Sequence, residues 1–94
     1  MAIFAVELST SVQKDLRKIP GHIIDKLDTW IDAVERVGLV QVRKISGYHD
    51  EPLQGKRWGQ RSIRLSLHYR AIYREVSKGS VEFVQVEEVN KHEY

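Results

Sequence analysis

Apolar positions along this chain change period in a fixed order. Over residues 2–8 they alternate weakly, with Ile3, Phe4, Val6 and Leu8 marking a first strand. Ser9-Thr10-Ser11 then offers a hydroxyl cap, and Val12, Leu16 and Ile19 recur at helical spacing with Lys14, Asp15, Arg17 and Lys18 between them. That predicts a short amphipathic helix of about three turns. Pro20 suits the first turn of a second helix, where its missing N–H costs little. Ile23, Ile24, Leu27, Trp30, Ile31, Val34 and Val37 follow at i, i+3/i+4, i+7, with Asp25, Lys26, Asp28, Asp32, Glu35 and Arg36 on the other side. Gly38 is a C-terminal stop. The two helices form a hairpin with one apolar seam. Trp30 belongs to that seam, and His22 is a helix-start residue.

Leu39 to Ile45 reads as a further helical turn or two, or as an extended segment, with the helical reading preferred. Gly47 to Gly59 reads as loop or irregular strand, because Gly47, Pro52, Gly55 and Gly59 interrupt it. Residues 61–67 alternate, with Ile63, Leu65 and Leu67 on one face and Ser62, Arg64 and Ser66 on the other. His68 is a turn residue. Residues 69–76 place Tyr69, Ala71 and Tyr73 on one face and Arg70, Ile72 and Arg74 on the other. Ser77-Lys78-Gly79-Ser80 is a hairpin turn, and the valine-rich residues 81–89 are a last strand. The order is β-α-α-β-β-β. This is an α+β fold in which a helix hairpin packs on one face of a small, mainly antiparallel four-stranded sheet. The other face, carrying Arg64, is left open to a ligand.

The chain has 94 residues, 41% of them hydrophobic, which allows one domain over 1–94 with a modest core. It has no cysteine, so neither disulfides nor thiolate metal sites are available. Met1 to Glu7 lacks the basic start and long apolar run of a signal peptide. No stretch approaches the ~20 apolar residues of a membrane span. A cytoplasmic protein with no membrane partner is expected.

Charge is segregated. From Arg43 to Arg74 eight basic residues stand against two acids, Asp50 and Glu51, while the rest of the chain carries seven basic and eleven acidic residues. A basic segment of this kind points to a polyanionic partner. Within it, arginines recur at strand spacing beside a glycine-containing loop. That arrangement holds several guanidinium forks on one sheet face, which suits a phosphodiester and the charge that develops when one is cut. The four histidines lie apart in sequence, no acidic cluster suggests a two-metal site, and no phosphate-loop or dinucleotide fingerprint is present. No metal or cofactor is expected.

Three motifs carry a resemblance over essentially the whole chain. They are Glu51-Pro52-Leu53-Gln54-Gly55, Gln60-Arg61-Ser62-Ile63-Arg64-Leu65 and Tyr69-Arg70-Ala71-Ile72-Tyr73, with Lys91-His92-Glu93-Tyr94 closing the chain. In this order, after a helix hairpin, they resemble the RelE/ParE superfamily, the toxins of bacterial type II toxin–antitoxin systems, and in the tail its RelE, YoeB and HigB branches. The sequence departs from the pattern at Gln54, where relatives often have a basic residue, and at Ser62, where RelE proteins use a lysine.

The resemblance implies a metal-independent endoribonuclease that cuts mRNA on the ribosome and arrests translation. It also implies a cognate antitoxin, for which a HigA-like helix-turn-helix protein is one form. Metal-free RNA cleavage needs a base for the 2′-OH, an acid for the leaving 5′-oxygen, and cations for the phosphorane. By resemblance, Arg70 and Arg64 supply the cations, His92 transfers a proton, Tyr94 is an acid, an orienting group or a stacking group, and Glu51 is a base, with His49 as its alternative. Lys56 and Arg57 are expected to contact RNA backbone, with Arg61 as a further contact, and Trp58 to stack on a base or pack on its loop. Two other readings remain: a ParE-like inhibitor of DNA gyrase, and an RNA-binding module without catalysis.

Overall fold

In the computed structural model, which describes residues 3–91, the first strand, β1 (Ile3–Leu8), runs directly into a capped helix. Ser9 has extended backbone (φ −62°, ψ 159°), and its hydroxyl oxygen accepts from the Val12 amide at 3.1 Å, so α1 (Thr10–Asp15) starts with one orphan donor satisfied. A 3-10 turn (Leu16–Lys18) tightens its end. Pro20 stands just outside α2 (Gly21–Val37), as its cap. Helix α2 stops at Gly38 for two reasons. The backbone there has φ +87°, and a Cβ would lie 3.0 Å from the Phe4 ring. Helix α3 (Leu39–Arg43) follows at once.

Residues 44–59 are irregular, with 3-10 turns at Ser46–Tyr48 and Gly55–Arg57. Between those turns lies β2 (Glu51–Pro52). The chain closes with β3 (Gln60–Arg64), β4 (Tyr69–Lys78) and β5 (Val81–Lys91). The strand order is β1-β5-β4-β3-β2, with β1 parallel to β5 and the other pairs antiparallel. The fold class is the expected one, but the sheet has five strands rather than four. The additional strand is the two-residue β2, inside the segment read as loop or irregular strand. It pairs Glu51 with Ser62 and Pro52 with Arg61 at the sheet edge, where a proline's missing donor is tolerated.

The helices cover one face of this sheet. Ile23, Leu27, Trp30 and Val34 of α2 share a core with Ile63, Ala71, Tyr73, Val84 and Val86 of the strands. The Trp30 and Tyr73 rings lie 5.2 Å apart, tilted at 49°. Three expected inward residues are not in the core, and one of them, Ile24 of α2, is only partly buried. Val37 is exposed at the last position of α2, and Leu67 is 63% exposed because β3 ends at Arg64. The amides of Leu65 and Ser66 both donate to the Tyr69 carbonyl, which closes the turn that carries Leu67 outward. At the β4–β5 hairpin, Lys78 pairs with Val81 across Gly79 and Ser80, with Gly79 at φ +63°.

One irregularity shapes the other face. The β4–β5 register runs Ile72 to Glu88, then Tyr73 to Val86, so β5 carries an extra residue, Glu87. Val86 and Val89 are both buried although three positions apart. The bulge therefore sets Glu87 and Glu88 side by side on the uncovered face.

Candidate active site

Strand alternation decides what the uncovered face displays. On β3 and β4, Arg64 stands directly opposite Arg70, Ser62 opposite Ile72, and Gln60 opposite Arg74. On β5, Asn90 lies beside Arg70 and Glu88 beside Ile72. Side chains directly opposite in a sheet have Cβ atoms about 5 Å apart, so the two arginines are held as a like-charge pair. Arg70 Nη1 donates to Ser62 Oγ at 3.0 Å, and Ser62 is buried. Among the described residues neither Arg64 nor Arg70 forms an ion pair. Two unneutralised guanidinium groups on adjacent strands form an anion-receptive surface.

That surface borders a cleft of about 420 Å³. Ser62, Arg70 and Ile72 line it from β3 and β4, Glu51, Leu53 and Arg57 from the β2 loop, and Asn90 and Lys91 from β5. Fold and sequence motifs thus bring Glu51, Arg57 and Arg70 to one cavity, with Arg64 next to it. His92 and Tyr94 lie outside the described residues.

The β2 loop is held in place by a polar network on the covered side. The Asp50 carboxylate, with a side chain only 1% exposed, accepts from Arg61 Nε and from the Tyr73 hydroxyl, each at 2.5 Å. Arg43 of α3 donates Nε to the Tyr73 oxygen at 3.3 Å and Nη2 to Glu75 at 3.3 Å. Burial, reinforced by the bond to Asp50, pushes the Tyr73 phenol well above the ordinary tyrosine range. For Arg43 burial acts downward, but the Tyr73 bond and the nearby acids outweigh it and hold the guanidinium above its usual value. Asp50 immediately precedes Glu51, so this network positions the loop wall of the cleft.

Arg61, expected as a further RNA contact, lies one residue from Ser62 and therefore points to the opposite face, where it is ion-paired with Asp50. Arg57 does line the cleft, but its guanidinium is ion-paired with Glu88, and its Nε donates to Gln60 Oε1 at 2.9 Å. Lys56 is exposed in the same 3-10 turn. Trp58 is 81% exposed and lines a separate groove of about 340 Å³ with Arg43, Arg61 and Glu75. Leu53 lines both cavities. His49 is exposed and takes a left-handed conformation (φ 45°) that ends a 3-10 turn.

Sequence reasoning overlooked Asp50, Glu88 and Asn90. One signal was present: Glu87-Glu88 breaks the alternation between Val86 and Val89, as a bulge does. Among the described residues no group of three or more histidines, aspartates or glutamates converges as a metal site. Among the described residues no helix is long and apolar enough to cross a membrane.

No family model matches the sequence, and no characterised protein matches it by sequence. Solved structures do. The YoeB/ParE toxin from Agrobacterium tumefaciens superposes with a TM-score of 0.70 at 20% identity, over 95% of this chain and 99% of that one. YafQ from E. coli gives 0.68 at 17% identity, over 97% and 93%. The toxin–antitoxin complex RelBE2 from Mycobacterium tuberculosis gives 0.68 at 21% identity, over 97% and 100%. At such identities the likeness is one of fold. The chain folds as YoeB-, YafQ- and RelE-type toxins do, as its motifs implied.

Proposed function

We propose that this chain is the toxin of a type II toxin–antitoxin pair, acting as a metal-independent endoribonuclease on mRNA. The observation that carries the reading is the Arg64–Arg70 pair, opposed on β3 and β4, free of carboxylates among the described residues, and bordering a cleft that also holds Glu51. A like-charge pair on neighbouring strands costs stability. An anion between the two removes that cost, and a phosphorane, carrying more charge than the phosphodiester it forms from, does so best.

In the reaction proposed, the 2′-oxygen loses its proton to a base and attacks the adjacent phosphorus. A P–O2′ bond forms and the P–O5′ bond breaks, leaving a cyclic phosphate on one fragment. An acid delivers a proton to the departing 5′-oxygen. Arg70 and Arg64 hold the non-bridging oxygens. Glu51, on the cleft wall, is the candidate base. His92 follows Lys91 in the chain, and Lys91 lines the cleft; it is the candidate for the second proton transfer, with Tyr94 two residues further on. Lys56 and Arg57 contact RNA backbone at the cleft mouth. The ribosome is the proposed place of action and a cognate antitoxin the proposed restraint, in keeping with a neighbour that was solved as a toxin–antitoxin complex.

The test is primer extension on translated and on naked mRNA with the wild type, Arg70→Ala and His92→Ala. Cuts in the wild type that disappear in Arg70→Ala support the site. Unchanged cutting in both variants removes it. Gyrase cleavage complexes in place of RNA cuts would move the function to the ParE type.

A further inference from the structure

We infer that Glu88 is a built-in competitor for the phosphodiester backbone, holding Arg57 at the cleft until a phosphate displaces it. The inference rests on the cleft being an RNA site, and it adds a residue that sets how selectively that site binds. Three observations support it. Glu88 stands beside Ile72, a residue lining the cleft, and both its carboxylate oxygens are engaged: Oε2 by Arg57, and Oε1 by Asn90 Nδ2 at 2.9 Å. All three of these groups other than Glu88 line the same cavity. The carboxylate faces this side by alternation from Val89, which pairs with Ala71, and the bulge adds a second acid, Glu87, beside it.

The cations of the face are therefore in two states. Arg64 and Arg70 carry no carboxylate among the described residues, whereas Arg57 is already neutralised. A strand that settles on the free pair meets a negative charge at the next cation. It gains Arg57 only by exchanging one oxyanion for another. Such an exchange returns little free energy, and until it occurs Glu88 repels the strand. A repulsive element of this kind lowers affinity for any passing polyanion and leaves selection to partners that supply binding energy elsewhere. The pair is suited to opening, because the Arg57 and Glu88 side chains are 45% and 37% exposed, and half-exposed ion pairs are weak.

The experiment measures binding of a short 2′-O-methyl RNA, which lacks the attacking hydroxyl, and of inorganic polyphosphate to the purified chain across about 50 to 200 mM salt. The variants are Glu88→Gln, Arg57→Ala, their double mutant, and Glu82→Gln. Glu82 lies six residues along β5, about 20 Å away, beyond the reach of screened charge, and controls for net charge. Glu88→Gln is expected to tighten RNA binding about threefold to fivefold and to steepen its salt dependence by about 0.7 in log–log slope. Glu82→Gln leaves both unchanged. In the Arg57→Ala background Glu88→Gln still relieves its own repulsion of the strand, but the steeper salt slope, which requires Arg57 to reach a phosphate, disappears. Wild-type binding with no gain in Glu88→Gln, an equal gain in Glu82→Gln, or a steepened salt slope that survives loss of Arg57 overturns the inference while the RNA site stands. Failure of the wild type and Glu88→Gln to bind either polyanion overturns both together.

Discussion

The Tyr73 hydroxyl donates to the Asp50 carboxylate at 2.5 Å, and through that bond the central strand of the sheet holds the loop that carries Glu51. Arg61 reaches the same carboxylate from the neighbouring strand. A charge this deeply buried is stabilised only by its partners. Asp50→Ala leaves a guanidinium and a phenol without their acceptor and is expected to destabilise the fold by about 3 kcal/mol. Tyr73→Phe, which removes one donor and keeps the ring against Trp30, is expected to cost about 1 to 2 kcal/mol. Urea unfolding monitored by tryptophan fluorescence checks both. Equal stability of Asp50→Ala and the wild type would mean that the network does not anchor the loop.

The raised phenol of Tyr73 makes stability pH-dependent at the alkaline end. In the unfolded chain a tyrosine loses its proton near pH 10. In the folded chain burial, with the bond to Asp50, keeps the proton on to higher pH. Between the two values the folded state binds more protons, so unfolding free energy falls as pH rises. The contribution is fully present below about pH 10 and is lost above it. Tyr73→Phe should show a shallower loss between about pH 10 and 11.5, read by denaturant titration at fixed pH. Parallel curves for the two proteins would contradict the assignment.

Arg64 separates function from stability. It faces Arg70 directly and has no ion pair among the described residues. Replacing one member of an opposed like-charge pair relieves repulsion, so Arg64→Gln is expected to leave stability unchanged or raise it by about 0.2 to 1 kcal/mol. RNA cleavage should fall by about a hundredfold to a thousandfold, the scale set by removing one transition-state donor. Thermal unfolding together with cleavage rates tests both halves. A variant that is both less stable and fully active would invert the reading.

Trp58 is predicted to act in binding alone. At 81% exposure it supports little of the core, so Trp58→Ala should shift thermal unfolding only slightly. If a base stacks on it, affinity for single-stranded RNA drops by about 1 to 3 kcal/mol. Phenylalanine should recover part of the loss, because the π-face remains. Fluorescence quenching of Trp58 on RNA addition gives an independent check, as Trp30, the other tryptophan, is fully buried.

Much of the fold was legible from local pattern. The Val12–Ile19 and Ile23–Val34 stripes, the Ser9 cap, the Gly38 stop and the Gly79 turn each follow from period and backbone preference within a few residues. The two-residue β2 was not legible, because Pro52 and its neighbours have no strand signature and pair only because β3 offers an edge. Leu67 misled for a related reason: its alternation continues past the point where the Tyr69 carbonyl draws the chain into a turn. For the candidate site, the motifs pointed to Glu51, Arg57, Arg64 and Arg70, and these do gather at or beside one cleft. Arg61 could not be told from them by type, since only the parity of β3 sends it to the other side.

Periodicity and residue type alone determined the helix hairpin, the arginine-bearing strands and the basic character of the segment between Arg43 and Arg74, because these are properties of near neighbours in the chain. Which cations stay free was decided by tertiary structure. Arg61 is neutralised by Asp50, eleven positions before it, and Arg57 by Glu88, thirty-one positions after it. Arg64 and Arg70 meet across a turn. Charge falls off with distance in space, not along the sequence, so only the folded sheet, with its register and the bulge in β5, could sort paired arginines from open ones.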